Sequence, residues 1–178
     1  MKSRNILIRP TIFSDCELFA GWETDPSVTE FFSMNADRTY EDIVREFVAR
    51  ELDRTKLQYT ICTEDEVPIG RIYISRIEEE SDSLDITRIY IGDRENRGKG
   101  YGEEALRLIL EYCFMNLHME RVTLDHFEGN RIAASLYEKL GFKQEGIARN
   151  ACKKNGKYYN LYLLSLLRSE YYGKRHDG

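Results

Sequence analysis

Arg97-Gly98-Lys99-Gly100-Tyr101-Gly102 sets glycines at three alternate positions, after a β-branched run and before a helical pattern. Glycine tolerates left-handed backbone and lets a ligand approach closely, and a helix N-terminus favours negative charge. The chemistry this spacing suits is binding of a phosphate or pyrophosphate by main-chain N–H groups. Two better-known glycine patterns are excluded. A dinucleotide fingerprint counted from Gly98 ends on Glu103, and counted from Gly100 ends on Ala105. A P-loop would need Ser or Thr after Lys99 and a glycine at position 93; the chain has Gly100 and Asp93.

The elements around the loop follow from periodicity. Ile6-Leu7-Ile8 reads as an opening strand, and Ser14 as the N-cap of a helix through Phe19 and Trp22. Asp25-Pro26 places a cap and an N1 proline before a second short helix. Thr39 and Asp42 form a capping-box pattern for a third. Three strands follow, Tyr59 to Cys62, Ile69 to Ile77 and Leu84 to Ile91, separated by the acidic turns at Glu64-Asp65-Glu66 and Glu78 to Asp82. After the glycine loop a helix runs from Tyr101 to about Asn116, with Ala105, Leu106, Ile109, Leu110 and Cys113 as its buried stripe. A strand from Arg121 to Phe127 leads to a helix opened by Asn130 and closed by Gly141. A final hairpin turns at Asn155-Gly156.

The order strand, helices, three-strand meander, glycine loop, helix, strand, helix, hairpin resembles the GNAT superfamily of acyl-CoA-dependent N-acetyltransferases. Arg97 to Gly102 is similar to its pyrophosphate motif. Asn130-Arg131-Ile132-Ala133, Tyr137 and Leu140-Gly141-Phe142 are similar to its second motif, and Glu145-Gly146 continues as in the ribosomal-protein and polyamine branches. The resemblance covers nearly the whole chain. It implies an α/β (α+β) fold, one domain over residues 1–178, with a mixed, mostly antiparallel sheet flanked by helices.

The same resemblance implies acetyl-CoA as co-substrate. Its pyrophosphate would lie on the N–H groups of Gly98, Lys99, Gly100, Tyr101 and Gly102, with Arg97 adding a charged contact. Its pantetheine arm would pair with the backbone of Ile89, Tyr90 and Ile91 as an extra strand. Asn130 serves either as helix N-cap or as a hydrogen-bond donor to that arm, and Ala133 keeps the helix surface low beside it. Tyr137 is the expected catalytic group. A tyrosine, with reference pKa ~10, holds a proton to share with a leaving thiolate whose own reference is ~8.5.

The attacking amine must lose a proton. Asp85 and Glu30 are candidate bases; Phe31, Phe32, Trp22, Asp37 and Glu41 belong to the region where the family builds its acceptor pocket. The acceptor is read first as a protein N-terminus, with a polyamine, aminoglycoside or amino sugar as alternatives. An acyl-CoA sensor without turnover is the non-enzyme alternative. Cys113 and Cys152 have no His or Cys partner in a recognisable arrangement, so direct transfer in a ternary complex is expected over a covalent relay.

Size and composition set the remaining expectations. The chain has 178 residues, a formal net charge of −5 and 4 widely spaced cysteines without a C-x-x-C pair. These features argue against a zinc or redox site and against general nucleic-acid binding, and they suit a cationic acceptor. His118, His126 and His176 lack metal-ligand spacing, so no metal is expected. No apolar run is long enough for a membrane span, and Met1 to Asn5 precedes no hydrophobic signal core, so a cytoplasmic protein is expected. Tyr158, Tyr159 and Tyr162 on the final hairpin offer a face for a homodimer.

Overall fold

The computed structural model describes residues 1–32 and 38–176. The elements are β1 (Ile6–Pro10), α1 (Asp15–Thr24), α2 (Pro26–Thr29), α3 (Tyr40–Glu51), β2 (Leu57–Thr63), β3 (Pro68–Glu78) and β4 (Ser83–Ile91). A 3-10 turn at Arg94–Asn96 precedes α4 (Tyr101–Glu111), which widens into a π turn at Tyr112–Asn116. Then come β5 (Arg121–Phe127), α5 (Arg131–Leu140), β6 (Lys143–Lys154), β7 (Lys157–Leu167) and α6 (Arg168–His176). The seven strands make one sheet in the order β1-β2-β3-β4-β5-β7-β6. Only β4 and β5 pair in parallel; the other neighbours are antiparallel. The mixed, mostly antiparallel sheet with flanking helices is the one the sequence implies.

Connection handedness sorts the helices. The crossovers β4-α4-β5 and β5-α5-β6 both advance in one direction along the sheet, and right-handed connections then put α4 and α5 on the same face. Ala105, Leu106 and Ile109 of α4 and Tyr137 and Leu140 of α5 accordingly share a buried cluster with Ile72, Ile74 and Val122 of the sheet. Helices α1 and α3 cover the opposite face, where Cys16, Phe19 and Ile43 form a smaller cluster.

That second face is held by charge. Glu23 of α1 is wholly buried and accepts hydrogen bonds from Arg71 (2.5 Å), Arg88 (3.2 Å), Tyr90 (3.0 Å) and Arg38 (2.7 Å). Glu46 of α3 pairs with Arg38 at 2.7 Å and with Arg50. Burial raises the cost of ionising Glu46, but the arginines outweigh it and hold its pKa down to about 2. Removing one partner from such a cluster strands the others, at a cost of about 3–5 kcal/mol.

Several local expectations hold and others give way. Thr39 and Asp42 form the reciprocal capping box, Asp25 caps α2, and Gly141 closes α5 at φ 102°. Asn155 (φ 50°) and Gly156 (φ 78°) take the two left-handed positions that Asn-Gly favours. Ser14, expected as a cap, lies in helical backbone and its side chain makes no capping bond. Asp15, the first residue of α1, instead ties the approach to the helix: its carboxylate accepts from the Ile12 N–H at 3.0 Å and from both terminal nitrogens of Arg9 at 2.7 and 2.8 Å. The terminal helix α6 has no counterpart among the sequence expectations. Among the described residues, no helix is long and apolar enough to cross a membrane.

Candidate functional site

The glycine loop turns its main chain outward. Gly98 and Gly100 take φ of +75° and +85°, and a Cβ built on either would meet nothing within 4 Å. Among the described residues, no acceptor takes the N–H groups of residues 98 to 103, and the first bond of α4 is Glu104 N–H to the Gly100 carbonyl at 3.0 Å. Six successive donors thus face outward at the N-terminus of an 11-residue helix, an arrangement suited to an anion. Lys99 lies on the exposed surface with its ammonium 3.1 Å from Asn96 Oδ1. Tyr101 packs its ring against the core, so only its N–H faces the loop.

Arg97 departs from its expected role. Its guanidinium turns back into the protein and donates to the carbonyls of Ile91 (3.0 Å) and Gly92 (2.7 Å) and to Ser27 Oγ (2.8 Å). All three of its nitrogens are committed to the fold, which leaves the anion to the backbone and Lys99.

Beside this loop the sheet opens. β4 and β5 pair only at Ser83↔Arg121, Leu84↔Val122 and Asp85↔Thr123, whereas β4 stays paired to β3 as far as Ile91. From Ile86 onward one edge of β4 is therefore free. The side chains of Ile89 and Ile91 pack on the core and the Tyr90 hydroxyl is taken by Glu23, so what these residues present to the opening is backbone. The cleft has a volume of about 300 Å³ and is bordered by Ile89, Gly102, Asp125, Asn130, Ala133 and Tyr137. Asn130 caps α5 through Oδ1, which accepts from Ala133 N–H at 3.0 Å. Its amide nitrogen has no partner among the described residues and remains able to donate into the cleft.

Two titratable groups border the cleft from opposite sheet faces. Tyr137 reaches it from the α5 side and is 8% exposed; burial, and then the charge of Asp125, raises its pKa. It is therefore a neutral hydroxyl at every ordinary pH. Asp125 lies on β5 two residues beyond Thr123, on the face opposite Val122 and Leu124. Its side chain is exposed along the open cleft, yet the protein crowded around it first and the Asp85 carboxylate second raise its pKa, while Arg76 and His126 act against them. No sequence expectation included Asp125; the alternation of Arg121 to Phe127 was its only signal.

Asp85, expected as a base, is 5% exposed and fully engaged. It accepts from Thr87 at 2.7 Å and Thr123 at 2.8 Å and pairs with Arg76 at 3.1 Å. It does not border the cleft. Its place is behind Asp125, as the negative charge that makes Asp125 harder to ionise.

A second cavity of about 590 Å³ adjoins the first, and Phe31 and Phe127 border both. Glu30, Glu128, Lys154 and Tyr159 line it. The Glu30 carboxylate is exposed, while its carbonyl accepts from Lys154 Nζ at 2.9 Å. Phe32 meets Tyr90 with ring centroids 5.6 Å apart. Trp22 packs between Phe19 and Tyr90 and against Gly92, away from both cavities. Glu41 sits in the first turn of α3 outside both linings, and Asp37 lies outside the described residues. Among the described residues, no group of three or more His, Cys, Asp and Glu side chains could hold a metal ion.

Comparison with known proteins bears on this geometry. A family model described as an acetyltransferase (GNAT) domain matches residues 5–143. The uncharacterised N-acetyltransferase p20 of Bacillus licheniformis is 25% identical over 176 residues, spanning 96% of this chain and 97% of that protein. YdaF of Bacillus subtilis (strain 168), a provisionally named ribosomal N-acetyltransferase, is 34% identical over 82 residues, 46% of this chain and 45% of that protein. The crystal structure of the Vibrio cholerae spermidine N-acetyltransferase in complex with CoA and spermine superposes with a TM-score of 0.87 at 20% identity, covering 94% of this chain and 98% of that one. This last likeness is one of fold.

The loop geometry gives a direct test. Gly100→Val has room for its side chain within the protein but fills the face that an anion would approach, and it strains a left-handed residue. Calorimetric titration with CoA should show affinity reduced at least tenfold, while the circular dichroism spectrum stays that of the wild type.

Proposed function

The chain belongs to the acetyltransferase (GNAT) family and is an acetyl-CoA-dependent N-acetyltransferase; on that premise we propose that Asp125 and Tyr137 are its proton acceptor and donor, serving direct transfer to a small cationic amine. The observation that carries the reading is the presence of both groups on one cleft, from opposite faces of the sheet, where β4 and β5 separate. The residues fit the co-substrate. Six free N–H donors suit a pyrophosphate, the free edge of β4 suits an amide-bearing arm, and Ala133 leaves width beside the Asn130 amide nitrogen, which has no partner among the described residues.

Bound acetyl-CoA supplies an acetyl group activated as a thioester, which the amine takes as the thiolate departs. Asp125 receives the proton that the incoming ammonium must lose, since amines begin near pKa ~8 to ~10.4 and attack only when neutral. A carboxylate held above its ordinary range accepts that proton more readily than a free one. Tyr137 offers its hydroxyl to the departing sulfur; burial keeps the proton on the phenol until negative charge develops beside it.

The acceptor enters by the second cavity. Its two carboxylates, Glu30 and Glu128, and its aromatic walls, Phe31 and Tyr159, suit an alkylammonium, which is attracted both by negative charge and by aromatic faces. The fold neighbour solved with spermine supports a polyamine. A protein N-terminus is the competing acceptor, supported by the likeness to YdaF over less than half of the chain.

Three measurements test the reading. Tyr137→Phe should lower single-turnover transfer ~10²–10⁴-fold with the dissociation constant for acetyl-CoA unchanged; a wild-type rate returns Tyr137 to the core. An acceptor panel of spermidine, spermine, an aminoglycoside and ribosomal N-terminal peptides, read by thiol release and mass spectrometry, should give its highest kcat/KM with a polyamine; no release with any amine would favour a sensor. The third is pH dependence. Asp125 must be ionised to act and its pKa is raised, so kcat/KM should fall with decreasing pH at values above those of an ordinary carboxylate near ~3.9. Asp85→Asn removes the negative neighbour and leaves Arg76 and His126 facing Asp125, so the acid limb should move to lower pH. An unmoved limb would take the role of base from Asp125.

A further inference from the structure

We infer that Arg97 is a positioning residue that couples the two substrate sites, tying the phosphate-binding loop to the wall of the acceptor cavity. The inference rests on acetyl-CoA occupying the glycine loop.

The wall in question is α2 and the residues that follow it. Ser27, Thr29, Glu30 and Phe31 line the second cavity, and Val28, Phe31 and Phe32 the first. A helix of 4 residues cannot hold itself in place, because nucleation costs more than its few bonds return. Its position has to be imposed by its neighbours, and the bonds that impose it are unusual in their origin. At the N-terminal end, Arg94 reaches both Asp25 oxygens at 3.0 Å and Arg97 reaches Ser27 Oγ at 2.8 Å. At the C-terminal end, Lys154 donates to the carbonyls of Thr29, of Glu30 at 2.9 Å and of Phe32 at 3.2 Å.

Two of these three cations belong to the segment that leads into the glycine loop. Arg97 stands immediately before Gly98, the first of the six free N–H donors. Its other two bonds fix the end of β4 through the carbonyls of Ile91 and Gly92. One guanidinium therefore joins the free half of β4, the phosphate loop and α2. A pyrophosphate that orders residues 98–103 also orders Arg97, and through Ser27 it steadies the wall against which the amine must lie. By linkage the effect is reciprocal, and coupling of this kind ordinarily amounts to a ~5–150-fold change in affinity.

Hydrogen exchange on the full-length protein tests this with CoA alone, so no acceptor need be known. Wild type, Ser27→Ala and Arg97→Lys are compared with and without saturating CoA. Ser27 is exposed and alanine is at home in a helix, so the first variant leaves the fold intact. Arg97→Lys keeps the charge but cannot span the same three acceptors. In the wild type, CoA should slow exchange in residues 98–103 and also, by at least about fivefold, in residues 27–32. Both variants should keep the first protection; Arg97→Lys should lose the second, and Ser27→Ala, which retains the Arg97 bond to the Ser27 carbonyl at 3.4 Å, should lose part of it.

Protection of 98–103 without protection of 27–32 in the wild type would overturn the coupling, as would undiminished protection of 27–32 in Arg97→Lys. Loss of CoA affinity in Arg97→Lys, with Ser27→Ala unaffected, would make Arg97 a ligand of the phosphates instead. Absence of protection at 98–103 in the wild type would instead overturn the acetyl-CoA reading itself, a failure distinct from that of the coupling.

Discussion

The separation of β4 from β5 after three paired positions is the constraint on which the rest of the molecule depends. A strand edge inside a sheet leaves N–H and C=O groups without partners, and buried groups of that kind are costly. The chain keeps this edge open by holding β4 from its other sides. β3 pairs with it to Ile91, Ile89 and Ile91 pack down on the core beneath α4, and Glu23 fastens Arg88 and Tyr90 from above. The buried ion cluster thus has a local purpose. It fastens a strand that lacks a neighbour beside the cleft proposed for the co-substrate arm, in place of hydrophobic packing that would close the gap.

The opening also sets the electrostatics. The last paired position brings Asp85 against Thr123, and two residues further along the same face of β5 stands Asp125. The register therefore fixes one carboxylate behind another. Arg76, held at a positive φ of 51°, reaches Asp85 and partly offsets its charge. Tyr137 approaches from the other face, with α5 started by Asn130 and stopped by Gly141. Neither of the two groups proposed to handle protons rests on a loop. Strand and helix hold them, and the substrates need only meet between.

Much of this was legible in the sequence because it is local. The capping box at Thr39, the Asn155-Gly156 turn, the stripe of α4 and the glycines before it depend on a few neighbouring residues, and the structure has each where its spacing implies. What escaped was decided across long separations. Arg97 reads as a charge beside a phosphate until α2, 70 residues earlier in sequence, supplies its acceptor. Glu23 reads as one more acidic residue on a helix until Arg71 and Arg88 rise beneath it from the sheet. Asp125 has no motif at all, and only the separation of the strands turns a strand carboxylate toward a cleft. Ser14 failed for a smaller reason: its own backbone is already helical, and the neighbouring Asp15 turns its carboxylate back to the Ile12 N–H and to Arg9.

The cysteines are poorly prepared for a covalent relay. Burial pushes the Cys113 thiol up to about 12, and Cys152 is likewise raised. A thiol needs its anion to attack, so neither residue is prepared to carry an acyl group between separate half-reactions. That favours the direct transfer proposed above, with amine and thioester in the molecule at once and their proton traffic divided between Asp125 and Tyr137. An enzyme so built gains from forming the acceptor wall only when the donor is in place. α2 is too short to stand by itself, and both arginines that fix it belong to the segment leading into the glycine loop.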